Sequence, residues 1–368
     1  MKIVLCGIDN FEDPKSWSGT HHTLYKHFKE AGLLYGTINY SLKGNVFTRM
    51  LGYFHRKLSN RVFLRRGCRD GILNKYYEKA FLRGVARLNK TDEDLVFVHV
   101  TDYCIPEGLD PNIKHFVYID STLYGVLKYQ PDDRLFKNRL SKKYINKSRE
   151  YLMRAEGVFT QNEWSRESVI NDYQIEASRV HNVGFGINLK PLEKEKPYDN
   201  SMLIVLRRGA EKKKGLLLLL EAFKIVKKKT EDAVLYVVGT ELEPQAGVEY
   251  YENYPREKTI ELFSKSSLYV MPATFEPNGI TYLEGLANKS PIIGLNRCAV
   301  PEFTGYGKYG FTCDQPDKNE LADLIINAFK DKQLLRKMGE EGQQFVMQKY
   351  KWDLVTREMI AIIGKSSN

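Results

Sequence analysis

Two glutamates eight positions apart, Glu276 and Glu284, bracket the stretch EPNGITYLE. Glu276 stands beside a proline and just before Asn278-Gly279, where the apolar run SLYVMPA gives way to a loop. Glu284 falls near the second turn of a helix that the spacing of ITYLEGLAN predicts from about Gly279. A helix start offers unpaired N–H groups and the positive end of the backbone dipole, which together favour phosphate. Gly279 lets a ligand come close to the backbone. In that setting Glu276 could accept hydrogen bonds from sugar hydroxyls, and Glu284 could reach a ribose diol. The plain alternative is a loop charge followed by an exposed helical residue, since paired glutamates are common.

The stretch LIVLRRGAEKKKGLLLLLEAF, 203–223, raises a related question. A strand is followed by Arg207, Arg208 and Gly209, then Lys212, Lys213, Lys214 and Gly215, and then a long apolar helix. Guanidinium and ammonium groups fixed at a strand-to-helix loop would neutralise a departing diphosphate. A solvated basic turn is the alternative. What favours chemistry is the order, because this loop precedes the two glutamates in what reads as one sheet.

Alternation of short apolar runs with helical spacing predicts that sheet. KIVLCGI, LVFVHV, HFVYID, GVFTQN, SMLIVLR, AVLYVVG, SLYVMPA and PIIGL read as buried strands, separated by stretches such as SGTHHTLYKHFKEAGL. This pattern means parallel sheets covered by helices on both faces, an α/β class. With 368 residues there is room for two domains, and the polar, proline-containing LKPLEKEKPYDN marks the seam. Two doubly wound domains would present the carboxyl ends of their strands to a cleft.

Composition narrows the partners. A formal charge of +10 implies an anionic one. No run is long enough to cross a bilayer, and MKIVLCGIDN reads as an opening strand rather than a signal peptide. Cys6, Cys68, Cys104, Cys298 and Cys313 have no CxxC spacing, which argues against a disulfide framework or a structural zinc site and for a reducing cytosol. GYGKYG at 305–310 matches a dinucleotide spacing but reads as a turn before the strand GFTC. No D-x-D motif indicates a metal.

The second half resembles the donor domain of glycosyltransferase family 4, retaining enzymes of the GT-B fold. The series that carries the resemblance is Arg207/Arg208, Lys214-Gly215, Ala222-Phe223, VVGTE, Glu276…Gly279…Glu284 and Pro291-Ile292-Ile293. It continues with Val300-Pro301-Glu302, Gly310-Phe311 and Tyr350-Lys351-Trp352. FTQNEWSRESVINDYQIEASRVHNVGFGINL resembles the stretch before the family's interdomain linker. The resemblance implies a domain at 1–188, a linker at 189–200, a donor domain at 201–345 and a final helix, 346–368, crossing back. It implies that Arg208 or Arg207 and Lys214 or Lys213 bind the diphosphate. The basic loop departs from the family in offering two arginines and three lysines. Glu276 would hold the donor sugar and Glu284 the ribose, with the amides of Asn278, Gly279 and Ile280 near the phosphates. Asn278 stands where many relatives carry Phe or Tyr.

In the first half, Ser18-Gly19-Thr20 opens a helix where the family has a glycine-containing loop near the donor phosphates, which nominates Gly19 and Thr20 against a plain N-cap. Asp120, just past the strand HFVYI, matches a family position near the acceptor hydroxyl, against a capping aspartate. His21 and His22 read as surface residues. The implied reaction is metal-independent and cofactor-free transfer from a UDP- or GDP-linked sugar to a hydroxyl of a glycan or lipid-linked acceptor. Two rivals are a non-catalytic nucleotide-sugar-binding partner subunit and a Rossmann oxidoreductase or epimerase. The latter would need a glycine fingerprint that GIDNFEDPKSWSG lacks. Residues 42–90 carry 13 Lys or Arg against 2 acids, interleaved with apolar residues. That segment points to an anionic membrane surface at the cytoplasmic face, to a lipid-diphosphate or acidic glycan acceptor, or to a solvated face, rather than to nucleic acid.

Overall fold

A computed structural model describes residues 1–14, 16–39, 71–88, 94–100, 113–129, 139–253 and 255–366. Of the basic segment 42–90, only 71–88 fall among them, and Tyr254, Cys68 and Cys104 lie outside. The chain divides into two units, Met1–Gly186 with Trp352–Asn368 and Ile187–Lys351.

The first unit contains β1 (Lys2–Gly7), α1 (Thr20–Glu30), β2 (Leu34–Asn39), α2 (Gly71–Arg87), β3 (Leu95–Val100) and β4 (Lys114–Ile119). After these come α3 (Leu123–Lys128), α4 (Arg139–Arg154), β5 (Gly157–Thr160), α5 (Glu163–Asn171) and β6 (Val180–Asn182). Its strands form one sheet in the order β2-β1-β3-β4-β5-β6, parallel throughout. Central strands such as β3 bury five of their six residues, because helices cover both faces of a parallel sheet. Phe81 from α2 packs with Val4, Cys6, Ile38 and Phe97 in one part of the core.

The second unit runs β7 (Ser201–Val205), α6 (Leu216–Lys229), β8 (Val234–Val238), β9 (Val248–Tyr251), α7 (Arg256–Lys265), β10 (Leu268–Val270) and α8 (Ile280–Ala287). It continues with β11 (Ile292–Leu295), α9 (Val300–Phe303), β12 (Gly310–Cys313), α10 (Lys318–Lys330) and α11 (Lys332–Lys349). Its parallel sheet is ordered β12-β11-β10-β7-β8-β9. These are the two doubly wound α/β units that the GT-B resemblance predicts. The GYGKYG stretch is a turn ahead of β12.

The polar segment before β7 is held by a buried lysine. Lys196 donates to the carbonyls of Phe263 at 2.8 Å and Asn288 at 2.7 Å and to the Ser290 hydroxyl, so its ammonium is fully engaged although only 2% exposed. Asn288 caps the end of α8, where a cation also meets the negative end of the helix dipole. The last helix, α12 (Trp352–Lys365), belongs to the first unit and packs against α1. Its Trp352 ring lies so close to Gly186 that a Cβ there would come within 2.3 Å of it.

Two buried histidines sit side by side on β3 and β4. His99 Nε2 and His115 Nδ1 are 2.9 Å apart, so one ring must donate and the other accept, and both cannot be protonated. Phe81 and Phe97 pack against them. Burial pushes His115 down from 6.5 to about 4, and burial together with the neighbouring His115 pushes His99 well below its usual value. Because both are depressed in the fold, the stability they protect is complete above pH 6.5 and is lost as the pH falls toward 4. All three tryptophans, Trp17, Trp164 and Trp352, lie in this unit, so their fluorescence reads its unfolding. Urea unfolding followed this way should show a loss of at least about 2 kcal/mol between pH 7.5 and pH 5. A flat profile would mean that the pair is protonated in the fold.

Candidate active site

Strand β7 pairs with β8 on one side and with β10 on the other. The chain first builds outward through β8 and β9, then returns to the opposite flank for β10, β11 and β12. At this reversal the loops after β7 and β10 leave the carboxyl edge side by side, which is where doubly wound sheets bind ligands. The basic loop and the glutamate loop are therefore neighbours.

Lys214 and Glu276 meet there in an ion pair, with side chains 21% and 17% exposed. Lys214 takes one carboxylate oxygen of Glu276, and the other accepts the Gly279 amide at 3.1 Å. Burial pushes the Glu276 carboxyl up, but the charge and hydrogen bond of Lys214, the charge of Lys213 and the Gly279 amide outweigh it, leaving the group below its usual range. Glu276 is thus an anion held at the start of α8. Lys213 is exposed, its Nζ 5.9 Å from the centre of the Phe275 ring.

Glycine makes this approach geometrically accessible. Gly215, the N-cap of α6, has φ +79°, and a Cβ there would lie 2.1 Å from the carbonyl oxygen of Pro272, immediately after β10. Gly279, the N-cap of α8, has φ +55° and no side-chain cap. Its position leaves the first amides of α8, beginning with Ile280, beside half-buried Asn278.

Glu284 is not the exposed helical residue of the plain alternative. It is 7% exposed, among buried Tyr282, Leu283, Gly285, Leu286 and Ala287. Burying a carboxylate in an apolar helix is costly unless polar groups meet it, so Glu284 is not a solvated surface charge.

The arginines sit in a turn closed by the Ala210 amide on the Arg207 carbonyl at 3.0 Å. Both are exposed. Arg208 pairs with Glu252, just beyond β9, at 2.8 Å. Three further residues join this edge: Thr240, from the VVGTE stretch of the resemblance, and Glu211 and Arg297, which were not singled out from the sequence. Glu211 accepts from the Gly209 amide and the Thr240 hydroxyl, each at 2.9 Å. Arg297, after β11, reaches the Thr274 carbonyl at 3.5 Å. An isolated acid in a lysine run and a threonine after VVG carry no spacing signal, so only the strand order brings them together.

The first unit holds the remaining candidates in the segments that follow β1 and β4. Gly19 is the N-cap of α1 with φ +93°, following Trp17 and Ser18 at φ +43° and +57°. Thr20 opens the helix and is buried. His21 corrects the surface reading: it is 1% exposed, wedged against Phe11 and Trp17, and burial pushes it down to about 4. Asp120 follows β4 as expected, half-buried, its carboxylate accepting from Ser121 at 2.9 Å. The capping task belongs to Thr122, which accepts from the Gly125 amide at 3.0 Å, so Asp120 is not the cap of α3. The Asp120 carbonyl is bound by Ser165 and Asn162 of the α5 start. Among the described residues no cluster of three or more His, Cys, Asp or Glu could hold a metal.

Residues 190–345 match the family model of glycosyl transferases group 1. The fold is that of the GT-B class, and residues 190–345 are related to the glycosyl transferases group 1. It is 28% identical to N-acetyl-alpha-D-glucosaminyl L-malate synthase of Bacillus anthracis, over 28% of this chain and 27% of that protein. The sucrose-phosphate synthase of Thermosynechococcus elongatus matches with a TM-score of 0.70 at 14% identity, covering 99% of both chains. Alr3699/HepE of Anabaena, solved in complex with UDP, matches with a TM-score of 0.67 at 13% identity over 99% of this chain and 100% of that one. Likenesses at such identity carry the fold alone. The alignments to curated relatives span between 27% and 52% of the first two.

Gly215 and Gly209 give a matched test of this packing in the second unit. Both have positive φ, but a Cβ at Gly209 meets nothing within 4 Å whereas at Gly215 it strikes the Pro272 carbonyl. Gly209→Ala should cost only about 1 kcal/mol for its left-handed backbone. Gly215→Ala should cost at least about 3 kcal/mol and separate the two loops. Equal losses in denaturant unfolding would refute the close approach.

Proposed function

We propose that the protein transfers a sugar from a UDP- or GDP-linked donor to a hydroxyl of a glycan or lipid-linked acceptor, with retention of configuration and without a metal. The observation that carries this reading is the Lys214–Glu276 pair at the reversal of the second sheet, beside the start of α8. An ionised carboxylate suited to sugar hydroxyls lies there next to cations suited to a diphosphate. The UDP complex of the Anabaena relative supports a nucleotide donor by likeness of fold.

In this reading Glu276 orients the donor sugar and buried Glu284 takes the ribose diol. Arg208 or Arg207, with Lys214 or Lys213, neutralises the leaving diphosphate. The amides across Asn278, Gly279 and Ile280 add the dipole of α8. By the resemblance, Gly19 and Thr20 serve the phosphates, and Asp120 the acceptor hydroxyl. The bond from the sugar's anomeric carbon to the phosphate oxygen breaks. The acceptor oxygen bonds to the same face, and its proton passes to the leaving diphosphate. The basic segment 42–90 would bring the protein to an anionic membrane surface on the cytoplasmic side.

A partner subunit without activity is the second reading, and the intact Glu276, Glu284 and Lys214 weigh against it. Thermal unfolding with UDP, GDP and their sugars in EDTA separates the two. One nucleotide at a hundredfold excess over its Kd should raise Tm by roughly 5 °C, and Glu284→Ala should abolish the shift. Glu276→Gln should keep the shift while lowering sugar transfer or donor hydrolysis about a hundredfold or more. Nucleotide binding with no transfer or hydrolysis by the wild type would favour the partner reading.

A further inference from the structure

The cationic turn after β7 contains one acid, and that acid does not face the lysines beside it in sequence. In the stretch from Leu206 to Gly215, Glu211 is the sole carboxylate among Arg207, Arg208, Lys212, Lys213 and Lys214. A single oxygen of Glu211 accepts both the Gly209 amide and the hydroxyl of Thr240, at 2.9 Å each. Thr240 is 2% exposed and follows Gly239, whose backbone packs against the Leu206 carbonyl so closely that a Cβ would lie 1.8 Å from it. The Leu206 amide in turn bonds the Val238 carbonyl at 3.0 Å. Glu211 therefore ties the tip of the arginine turn to a fixed point beyond β8.

We propose that Glu211 is a positioning residue for the donor diphosphate, holding the Arg207–Arg208 turn in place before the ligand arrives. The inference deepens the function proposed above and rests on the cationic loop being the diphosphate site. The tip of the turn is Gly209 at φ +83°, with open space around its α-carbon, so packing there does not hold it and the Glu211 hydrogen bond to its amide does. Five cations in eight residues also repel one another, and each would otherwise be ordered at the expense of binding energy. Hydrogen bonds from Gly209, the residue's own backbone and Thr240, with the charge of Arg208 nearby, keep the Glu211 carboxyl below its usual range. It remains an anion and a good acceptor near neutral pH. Arg208 is restrained from the other side by Glu252.

Titration calorimetry with UDP and GDP, and steady-state kinetics with the corresponding sugar, test this on the full chain. Glu211→Ala should weaken nucleotide binding and raise the donor KM about tenfold, while kcat stays within about threefold and Tm is little changed. Glu211→Gln keeps an acceptor oxygen for Gly209 and Thr240 and should recover most of that loss. Thr240→Val should show a smaller loss that does not add to that of Glu211→Ala. Wild-type affinity in Glu211→Ala would overturn the proposal. So would a fall in Tm with kcat and KM impaired together and no recovery with glutamine, the pattern of general structural damage. If the wild type binds neither nucleotide, the cationic loop is not the donor site and the inference falls with that reading. The wild-type and variant titrations tell these failures apart.

Discussion

Everything proposed for the second unit depends on β7 having β10 as one neighbour and β8 as the other. Parallel strands deliver all their following loops to one edge, and reversal of the winding direction prevents a helix from filling the gap between two of those loops. Residues 62 positions apart thereby become an ion pair, and Gly215 can press against the Pro272 carbonyl. The small residues at the loop ends are consequences of this proximity. A side chain at Gly215 would separate the two loops that the strand order brings together.

Strand order alone would leave a concentration of positive charge. The loop after β7 holds five cations, and the carboxylates that meet it come from three places in the chain: Glu211 within it, Glu252 beyond β9 and Glu276 after β10. Exposed pairs such as Arg208–Glu252 contribute little stability in water. Their effect is on geometry, because each restrains a long side chain that would otherwise sample many rotamers. The more shielded Lys214–Glu276 pair differs in kind. Its carboxylate stays ionised against the cost of burial, so both groups keep the charges that a phosphate and a sugar would meet.

The central strands were legible because their apolar runs are nearly continuous. LVFVHV, HFVYI and SMLIV became β3, β4 and β7, each covered on both faces. The strands that went unread were β2, β6 and β9, and each lies at a sheet edge. LYGTIN, VHN and VEYY are only partly buried there, so they lack the apolar continuity that marks a central strand. The residues that carry the resemblance were legible as a series, whereas the pairing of Glu211 with Thr240 needed the fold, since the contact between them crosses two strand ends. The burial of His21 escaped notice for a simpler reason: a histidine on the first turn of a helix gives no sign that Phe11 and Trp17 will close over it.

Charge is handled differently in the two units. At its carboxyl edge the second unit keeps ionised groups in pairs, Lys214 with Glu276 and Arg208 with Glu252. The first unit buries imidazoles in the neutral form, His99 against His115 within the sheet and His21 under aromatic rings. Neutral buried imidazoles cost little to desolvate at neutral pH, but acid charges them, whereas a carboxylate held below its usual range resists protonation through the same interval. Mild acid should therefore act first on the unit that holds Asp120, Gly19 and Thr20, while the Glu276 site stays intact. In the function proposed above, acidification would therefore disturb the Asp120 and Gly19–Thr20 contacts before it reached the Lys214–Glu276 pair.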